Sequence, residues 1–386
     1  MKAVYPIGLL LLLLHPCHLI AQDSARKEHP LTLNGYIKNL QTFTFSKDFK
    51  DIITGNLLHN RINLKWKPRG AVTAAVELRN RLFWGEELKA TPGFKDRLRN
   101  ENEVLDLSKS WINSKDLLLH TNIERLWIEY RKQKWNVRLG RQRINWGIAT
   151  IWNPNDMFNT YNFLDFDYEE RSGNDALKAQ YLLNDFSNLE IAANLSFKKN
   201  KTAIAAKYFL NKWGYDMQWL AGAYQGKITT GIGWAGNIGN ASFKGEGQLF
   251  INGKDSGSSF NGTMESGYVF TNGWYLSEAF LYCSEGLAGT VNDWSKIDFS
   301  PSPVKLMPTR WNIVLTGSKE LTPLLSVRTS LVYSPGVNLF ILLPSFSYSL
   351  ADNFTADLVW QSFFASLDNH FEAVNHLCFL RIKWNF

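Results

Sequence analysis

Apolar and polar residues alternate with a period of two along much of this chain. In His376-Leu-Cys-Phe-Leu-Arg-Ile-Lys-Trp-Asn-Phe386, one face carries Cys378, Leu380, Ile382, Trp384 and Phe386, and the other Arg381, Lys383 and Asn385. A period of two puts the two sets on opposite faces of a β-strand. The pattern recurs upstream. Ile62, Leu64 and Trp66 stand against Arg61, Asn63 and Lys65, and Val72, Ala74, Val76, Leu78 and Leu82 against Thr73, Glu77, Arg79 and Arg81. Leu126, Ile128 and Tyr130 alternate with Arg125, Glu129 and Arg131, and Trp135, Val137 and Leu139 with Asn136 and Arg138. It returns in Phe243, Gly245, Gly247 and Leu249 against Lys244, Glu246 and Gln248, and in Trp311, Ile313 and Leu315 against Arg310 and Asn312.

Segments of roughly 9 to 12 residues, the length a tilted strand needs to cross a bilayer, begin near residues 31, 56, 72, 121, 135, 175, 188, 202, 215, 227, 240, 259, 273, 309, 324, 338, 353 and 375. They predict about eighteen strands, with sixteen as the alternative count. The connections tend to alternate between short and long. Lys67-Pro-Arg-Gly70, Lys132-Gln-Lys134, Asn211-Lys-Trp-Gly214, Thr271-Asn-Gly273 and Ala351-Asp-Asn353 have tight-turn compositions. Residues 45–55, 84–120, 144–174, 252–258, 284–308 and 365–374 are the longer links. Short periplasmic turns and long external loops mark bacterial barrels. The expected fold is therefore all-β: a closed, antiparallel transmembrane β-barrel. Hydrocarbon offers no water to unpaired backbone groups, so a spanning sheet has to close on itself.

Composition agrees. Hydrophobic residues make up 45% of the 386 residues and aromatics 14%, including 15 Trp and 25 Phe. After the N-terminus no apolar run is long enough for a membrane helix. At the N-terminus, Lys2, the apolar run Leu9–Leu14 and the small residue Ala21 read as a secretory signal over 1–21. Cys17 follows His15-Pro16 rather than the small residues of a lipobox. The remaining organisation is a short periplasmic segment, 22–30, and a barrel, 31–386. That segment is too short for a plug domain.

The formal charge is +7. An export signal turns this away from nucleic acid and toward anionic membrane or anionic solutes. Cys283 and Cys378 fall on distant strands and are not expected to pair. No Cys/His metal spacing and no cofactor motif appears.

If the apolar face meets lipid, the polar face lines the lumen. A barrel of 16 to 18 strands is too wide for its own side chains to fill and leaves an aqueous channel. Its inward residues on the first strands and the last are basic: Arg61, Lys65, Arg79, Arg81, Arg125, Arg131, Arg138, Arg381 and Lys383. Because the last strand pairs with the first, they form one wall, with Glu77 and Glu129 interleaved. One reading is a positive field that selects anions; the other is a wall of paired charges that keeps the pore wet. The 144–174 link carries Asp156, Asp165, Asp167, Glu169 and Glu170 among many aromatics. It is expected to fold into the lumen as a constriction, with an external lid or a calcium site as alternatives.

Two sequence features resemble known barrels. Ile382, Trp384 and the terminal Phe386 resemble the signal that outer-membrane barrels present to their assembly machinery. Leu139-Gly-Arg-Gln-Arg-Ile-Asn-Trp-Gly147, Asn153-Pro-Asn-Asp-Met-Phe158 and Gly173-Asn-Asp-Ala-Leu-Lys178 resemble porin-like outer-membrane barrels of the alginate-export type. That resemblance covers residues 121–183. It implies a basic lumen for an acidic polysaccharide or other anion, with Arg138, Arg141 and Arg143 lining the passage. The chain is shorter than many such exporters, which favours small solutes.

Three function classes follow. The first is a bacterial outer-membrane porin, not an enzyme, passing hydrophilic or anionic solutes passively. The second is a non-conducting surface-interaction or assembly barrel using loops 84–120 and 284–308. The third is an outer-membrane enzyme, which needs a Ser/His pair; His29, His59, His120, His370 and His376 stand in no nucleophile motif. Further copies of the chain are a candidate partner, through outward small or polar residues at Thr202–Tyr208 or Gly231–Gly239.

Overall fold

The computed structural model describes residues 29–98, 104–160, 162–167, 171–194, 196, 201–253, 257–368 and 370–386. The signal segment 1–21, most of 22–30, and Glu169 and Glu170 lie outside the described residues. The strands are β1 (Leu31–Ser46), β2 (Ile52–Trp66), β3 (Val72–Gly85), β4 (Ser108–Asn113), β5 (Leu117–Lys132), β6 (Trp135–Gln142), β7 (Asn174–Asn184), β8 (Ser187–Asn194), β9 (Ala203–Lys212) and β10 (Tyr215–Tyr224). They continue with β11 (Lys227–Ile238), β12 (Ala241–Ile251), β13 (Ser259–Val269), β14 (Tyr275–Cys283), β15 (Trp311–Thr322), β16 (Leu325–Ser334), β17 (Leu339–Ala351), β18 (Phe354–Leu367) and β19 (His370–Asn385).

Eighteen of these strands form one closed antiparallel barrel, each paired with its sequence neighbours and β1 paired with β19. β4 is the exception. It pairs with Leu118–Asn122 of β5, where β6 no longer accompanies that strand. Each barrel strand begins within five residues of the position read from the sequence. Gly35 and Phe386 extend the closing seam by exchanging two backbone hydrogen bonds of 3.0 Å.

The outer face is mostly apolar, as the alternation requires. Leu126, Ile128, Leu139, Leu177, Ile191, Ile232, Leu315, Leu358, Leu380 and Ile382 all project exposed from it. A bulge of β5 opposite Glu77 and Leu78 sends both Glu124 and Arg125 inward, so alternation restarts there with Asn122, His120 and Leu118 facing in. The outward positions of 204–208 and 232–238 carry Ile204, Ala206, Tyr208, Ile232, Trp234, Gly236 and Ile238, so those segments are outwardly free of polar side chains. Outward polar residues occur singly, as at Glu278 of β14, as the Ser362–His376 pair of β18 and β19, and as a run on β1–β5.

The lumen is partly filled by its own loops. Val291, Ile297, Leu306 and Met307 of the 284–310 loop pack on the inner face of β14–β18, against Leu281, Cys283, Val314, Val332, Leu339, Ile341 and Phe363. This loop therefore does not stand free at the surface as a partner-binding arm. The reason is local: in Leu339-Phe-Ile-Leu-Leu343 and Phe363-Phe364 both faces of the strand are apolar, and the inner one is buried by the loop.

Candidate functional site: the lumen and its inner loop

The inward side chains of β1–β6 form a charged wall, and most of its cations meet acids. Arg61 pairs with Glu77, Arg79 with Glu124 at 3.0 Å, and Glu129 with both Arg138 and Arg131. Arg125 donates to the backbone carbonyls of Glu124 (2.8 Å) and Arg171. Arg81 is buried on the same wall, and Lys383 lies over the Tyr36 ring, 4.7 Å from its centroid. Lys65 is exposed near the short-turn end of β2. Arg381 sits between two carboxylates, 2.9 Å from Asp357 and 3.2 Å from Asp167.

The described residues of 143–173 run inside the barrel. Burial in the lumen would strand their backbone N–H groups, and two glutamates of the opposite wall take them. The Glu246 carboxylate accepts from the N–H groups of Ile148, Ala149 (2.6 Å) and Asn155 (2.9 Å). Glu265 accepts from Thr150 and Ile151, each at 2.7 Å. Gln218 donates to the Trp146 carbonyl at 2.6 Å, and the Trp146 indole N–H donates to Glu190. Ile144, Trp146, Met157 and Phe158 make a small core with Ala176, Ala192, Ala203, Ala205 and Leu220. The far arm of the loop crosses back to the closing seam. There Asp167 accepts from Lys38 of β1 at 2.7 Å and contacts Arg381 of β19, while Gln361 donates to the Leu164 carbonyl at 2.7 Å.

The loop's own charges behave differently from one another. Asp156 is fully buried, and burial pushes its carboxyl up to about 6 even though Arg171, its ion-pair partner, and Arg143 draw it down. Burial also raises Asp165, with the neighbouring Asp167 charge adding to the effect. Arg143 is exposed at the start of the loop. Arg141 is not part of the loop. It binds Asp175 at 2.8 Å and the carbonyls of Leu105 and Ile123. The neighbours of Asp175 in β7, Asn174 and Ala176, meet the inner loop, so Asp175 and Arg141 point to the other side of the sheet. There Asp175 also accepts from the N–H groups of Val104 and Leu105 (2.8 and 3.0 Å). Arg141 thus ties the segment leading into β4 against the barrel wall, away from the passage. Gly140 has a φ of 115°, but the alternation survives it.

Two cavities flank the inner loop. The one toward the long-loop end, about 700 Å³, is lined by Arg79, Arg81, Arg97 and Lys201 together with Glu124 and Asp165. The one toward the short-turn end, about 900 Å³, is lined by Lys319, Arg328 and Arg381 with Glu320 and Asp357, and by Ser/Thr hydroxyls of β15–β17. Phe163 and Phe166 border the second cavity and Asp165 the first, so the segment 163–167 divides them. Sequence reasoning missed Lys38, Glu190, Glu246 and Glu265; each is an inward polar residue of a strand whose alternation is plain, but their partner is a loop whose path the pattern does not encode. Among the described residues no group of three or more His, Cys, Asp or Glu is placed to hold a metal, and Cys283 and Cys378 are free thiols. The nearest approach to a Ser/His pair on the outer face is Ser362 Oγ to His376 Nδ1, 2.8 Å. That hydroxyl also accepts from the Trp360 indole at 2.7 Å, and the rings of Phe49, Trp360 and Phe364 crowd His376.

No protein-family model matches the chain, and no curated protein matches it. Solved structures share its fold. OccAB4 of Acinetobacter baumannii superposes with a TM-score of 0.60 at 8% identity, over 94% of this chain and 100% of that one. OccK11 (OpdR) of Pseudomonas aeruginosa gives 0.56 at 10% identity, over 92% and 96%. The outer membrane channel DcaP of Acinetobacter baumannii gives 0.48 at 11% identity, over 92% and 97%. At 8–10% identity the likeness to OccAB4 and OccK11 is one of fold.

Proposed function

We propose that the protein is a bacterial outer-membrane channel that passes small hydrophilic solutes by diffusion and favours anions. The carrying observation is a closed barrel with a predominantly apolar outer face and a water-accessible cavity on each side of its inner loop. The outer face fits hydrocarbon. Export by the 1–21 signal, the short turns on the periplasmic side and assembly through Ile382, Trp384 and Phe386 belong to the same reading. The anion preference rests on the cavity linings. Four cations face two acids in the long-loop cavity, and three face two in the other. Most of the β1–β6 wall is internally paired, so selectivity is assigned to these cavities rather than to the wall as a whole. Charged linings of one sign attract counter-ions and repel co-ions in narrow passages.

The test is planar-bilayer recording of the purified barrel in a salt gradient. A reversal potential on the anion side, moved toward cations by Arg81→Ala with Arg97→Ala, supports the reading; conductance with no shift removes the anion preference. The apolar loop core over β14–β18 favours a second reading, an occluded barrel that acts as a surface-interaction module. Absence of any single-channel conductance would select it.

A further inference from the structure

Outward residues are mostly apolar around the circumference, with isolated polar exceptions such as Glu278 of β14 and the Ser362–His376 pair of β18 and β19, but β1–β5 carry a run of uncharged polar side chains among their apolar ones. Asn39 and Gln41 of β1, Asn56 and Asn60 of β2, Asn80 of β3 and Thr121 of β5 all share parity with outward Ile37, Leu58, Leu82 and Leu119. Asn60 pairs directly with Asn80, and Asn80 with Thr121. Three of these groups, with Trp111 of β4, form one donor chain across the strands. The Trp111 indole of β4 donates to Thr121 at 3.1 Å and Thr121 to Asn80 at 2.8 Å; the Asn80 amide donates to Asn60 at 3.1 Å and Asn60 to the Tyr36 carbonyl at 3.2 Å. Asn39, Gln41 and Asn56 make no side-chain hydrogen bond among the described residues. The row does not lie at a strand end. Asn80 stands between Leu78 and Leu82, with Trp84 beyond; Asn60 stands between Leu58 and Ile62; Gln41 is followed outward by Phe43.

From this we infer that the β1–β5 outer face is the contact surface for a second copy of the same chain. The inference rests on the reading that the barrel spans a membrane. Hydrocarbon offers carboxamides no partner, whereas an identical face offers a matching set. Each carboxamide both donates and accepts, so the row is complementary to itself across a two-fold axis. Polar side chains between spanning segments are used in this way as association sites. The row covers four adjacent barrel strands, about 15 Å at the usual inter-strand spacing, and Trp111, 60% exposed, flanks it as a ridge. The wall on the far side of the barrel, β11–β13, presents Ile232, Phe260 and Met264 outward, which suits lipid.

The experiment uses the full chain purified in mild detergent, with mass from light scattering and native mass spectrometry. The expected result is a two-chain particle that Asn60→Leu with Asn80→Leu converts to a single chain while the barrel stays folded by circular dichroism and heat-modifiable mobility. In a Cys378→Ser background, Asn60→Cys in native membranes is expected to cross-link to itself on oxidation at least tenfold more than Met264→Cys on the opposite wall. A wild-type particle of one chain, with no cross-link through the Asn60→Cys thiol, overturns the proposal, as does an oligomer that the leucine variants leave intact. A chain that needs no detergent would instead overturn the membrane reading beneath it.

Discussion

Gly35 and Phe386 exchange two backbone hydrogen bonds of 3.0 Å, with the phenylalanine ring laid where a Gly35 side chain would be. A Cβ at position 35 would collide with the Arg61 carbonyl oxygen and stand 2.8 Å from Cζ of Phe386. The seam therefore closes against β1 and β2 only because this site lacks a side chain. Gly35→Val is expected to disrupt closure at a cost of about 2–4 kcal/mol, and an unclosed barrel exposes an edge that aggregates. Heat-modifiable mobility after refolding into detergent measures it. A variant that folds with wild-type yield would show that the seam tolerates displacement.

Asp167 joins the inner loop to both strands of that seam, through Lys38 and Arg381. Its carboxylate offsets two cations beside the 163–167 divider. Asp167→Asn keeps the shape and loses the charge. The loop arm is then held by Gln361 and the Phe166–Phe379 ring contact, 4.7 Å between centroids. We expect a larger single-channel conductance and an anion-to-cation permeability ratio at least roughly doubled. Unchanged values of both in planar bilayers would place the conducting path away from this segment.

Strand positions were readable because one face of each strand had to be apolar, whichever apolar residue fills each place. Even the short β6 is visible in Trp135, Val137 and Leu139 against Asn136 and Arg138. What lies inside the barrel was less legible. The contacts of Glu246 and Glu265 are to backbone N–H groups, which nearly every residue carries, so no side-chain pattern in 148–155 announces them. Arg141 looked like a passage residue because its motif sits at the loop entrance; its fate is decided by Asp175, thirty-four positions on, and by which side of β7 that carboxylate takes. The outward carboxamides of β1–β3 were in plain sight as breaks in the apolar set, at Asn60 and Asn80, but they became a row only once register placed them opposite one another.

Glu246 holds three backbone N–H groups of the inner loop from a position that is 2% exposed. Glu246→Gln keeps the volume but sets an amide N–H₂ against groups that are themselves donors. Hydrogen bonds to a charged acceptor contribute about 1.5–3 kcal/mol each, so detachment of the 148–155 segment is expected while the barrel remains intact. Hydrogen exchange resolved to that segment should speed up by at least roughly a hundredfold, with β-strand amides unchanged. Equal protection in both proteins would mean that Glu265, Gln218 and the Trp146 core suffice to hold it.

The inner loop should also respond to pH through Asp156, whose carboxyl burial raises to about 6. Because the folded-state value lies above that of an unfolded aspartate, the native loop binds the proton more tightly. The favourable contribution is fully present below the unfolded value of about 3.9 and is lost as pH rises through about 6, where the carboxylate becomes charged in a dry site. Arg171 offsets part of that cost without reversing it. The linked free energy over this window is about 3 kcal/mol. Asp156→Asn does not titrate, so its stability relative to wild type should improve by about 1.4 kcal/mol from about pH 5 to about pH 7.5, the rest of the change falling below about pH 5. Urea denaturation of the two proteins in the same detergent at both pH values reads the difference. A gap between them that stays constant across the window would mean that Asp156 is ionised throughout, with Arg171 holding it in that state.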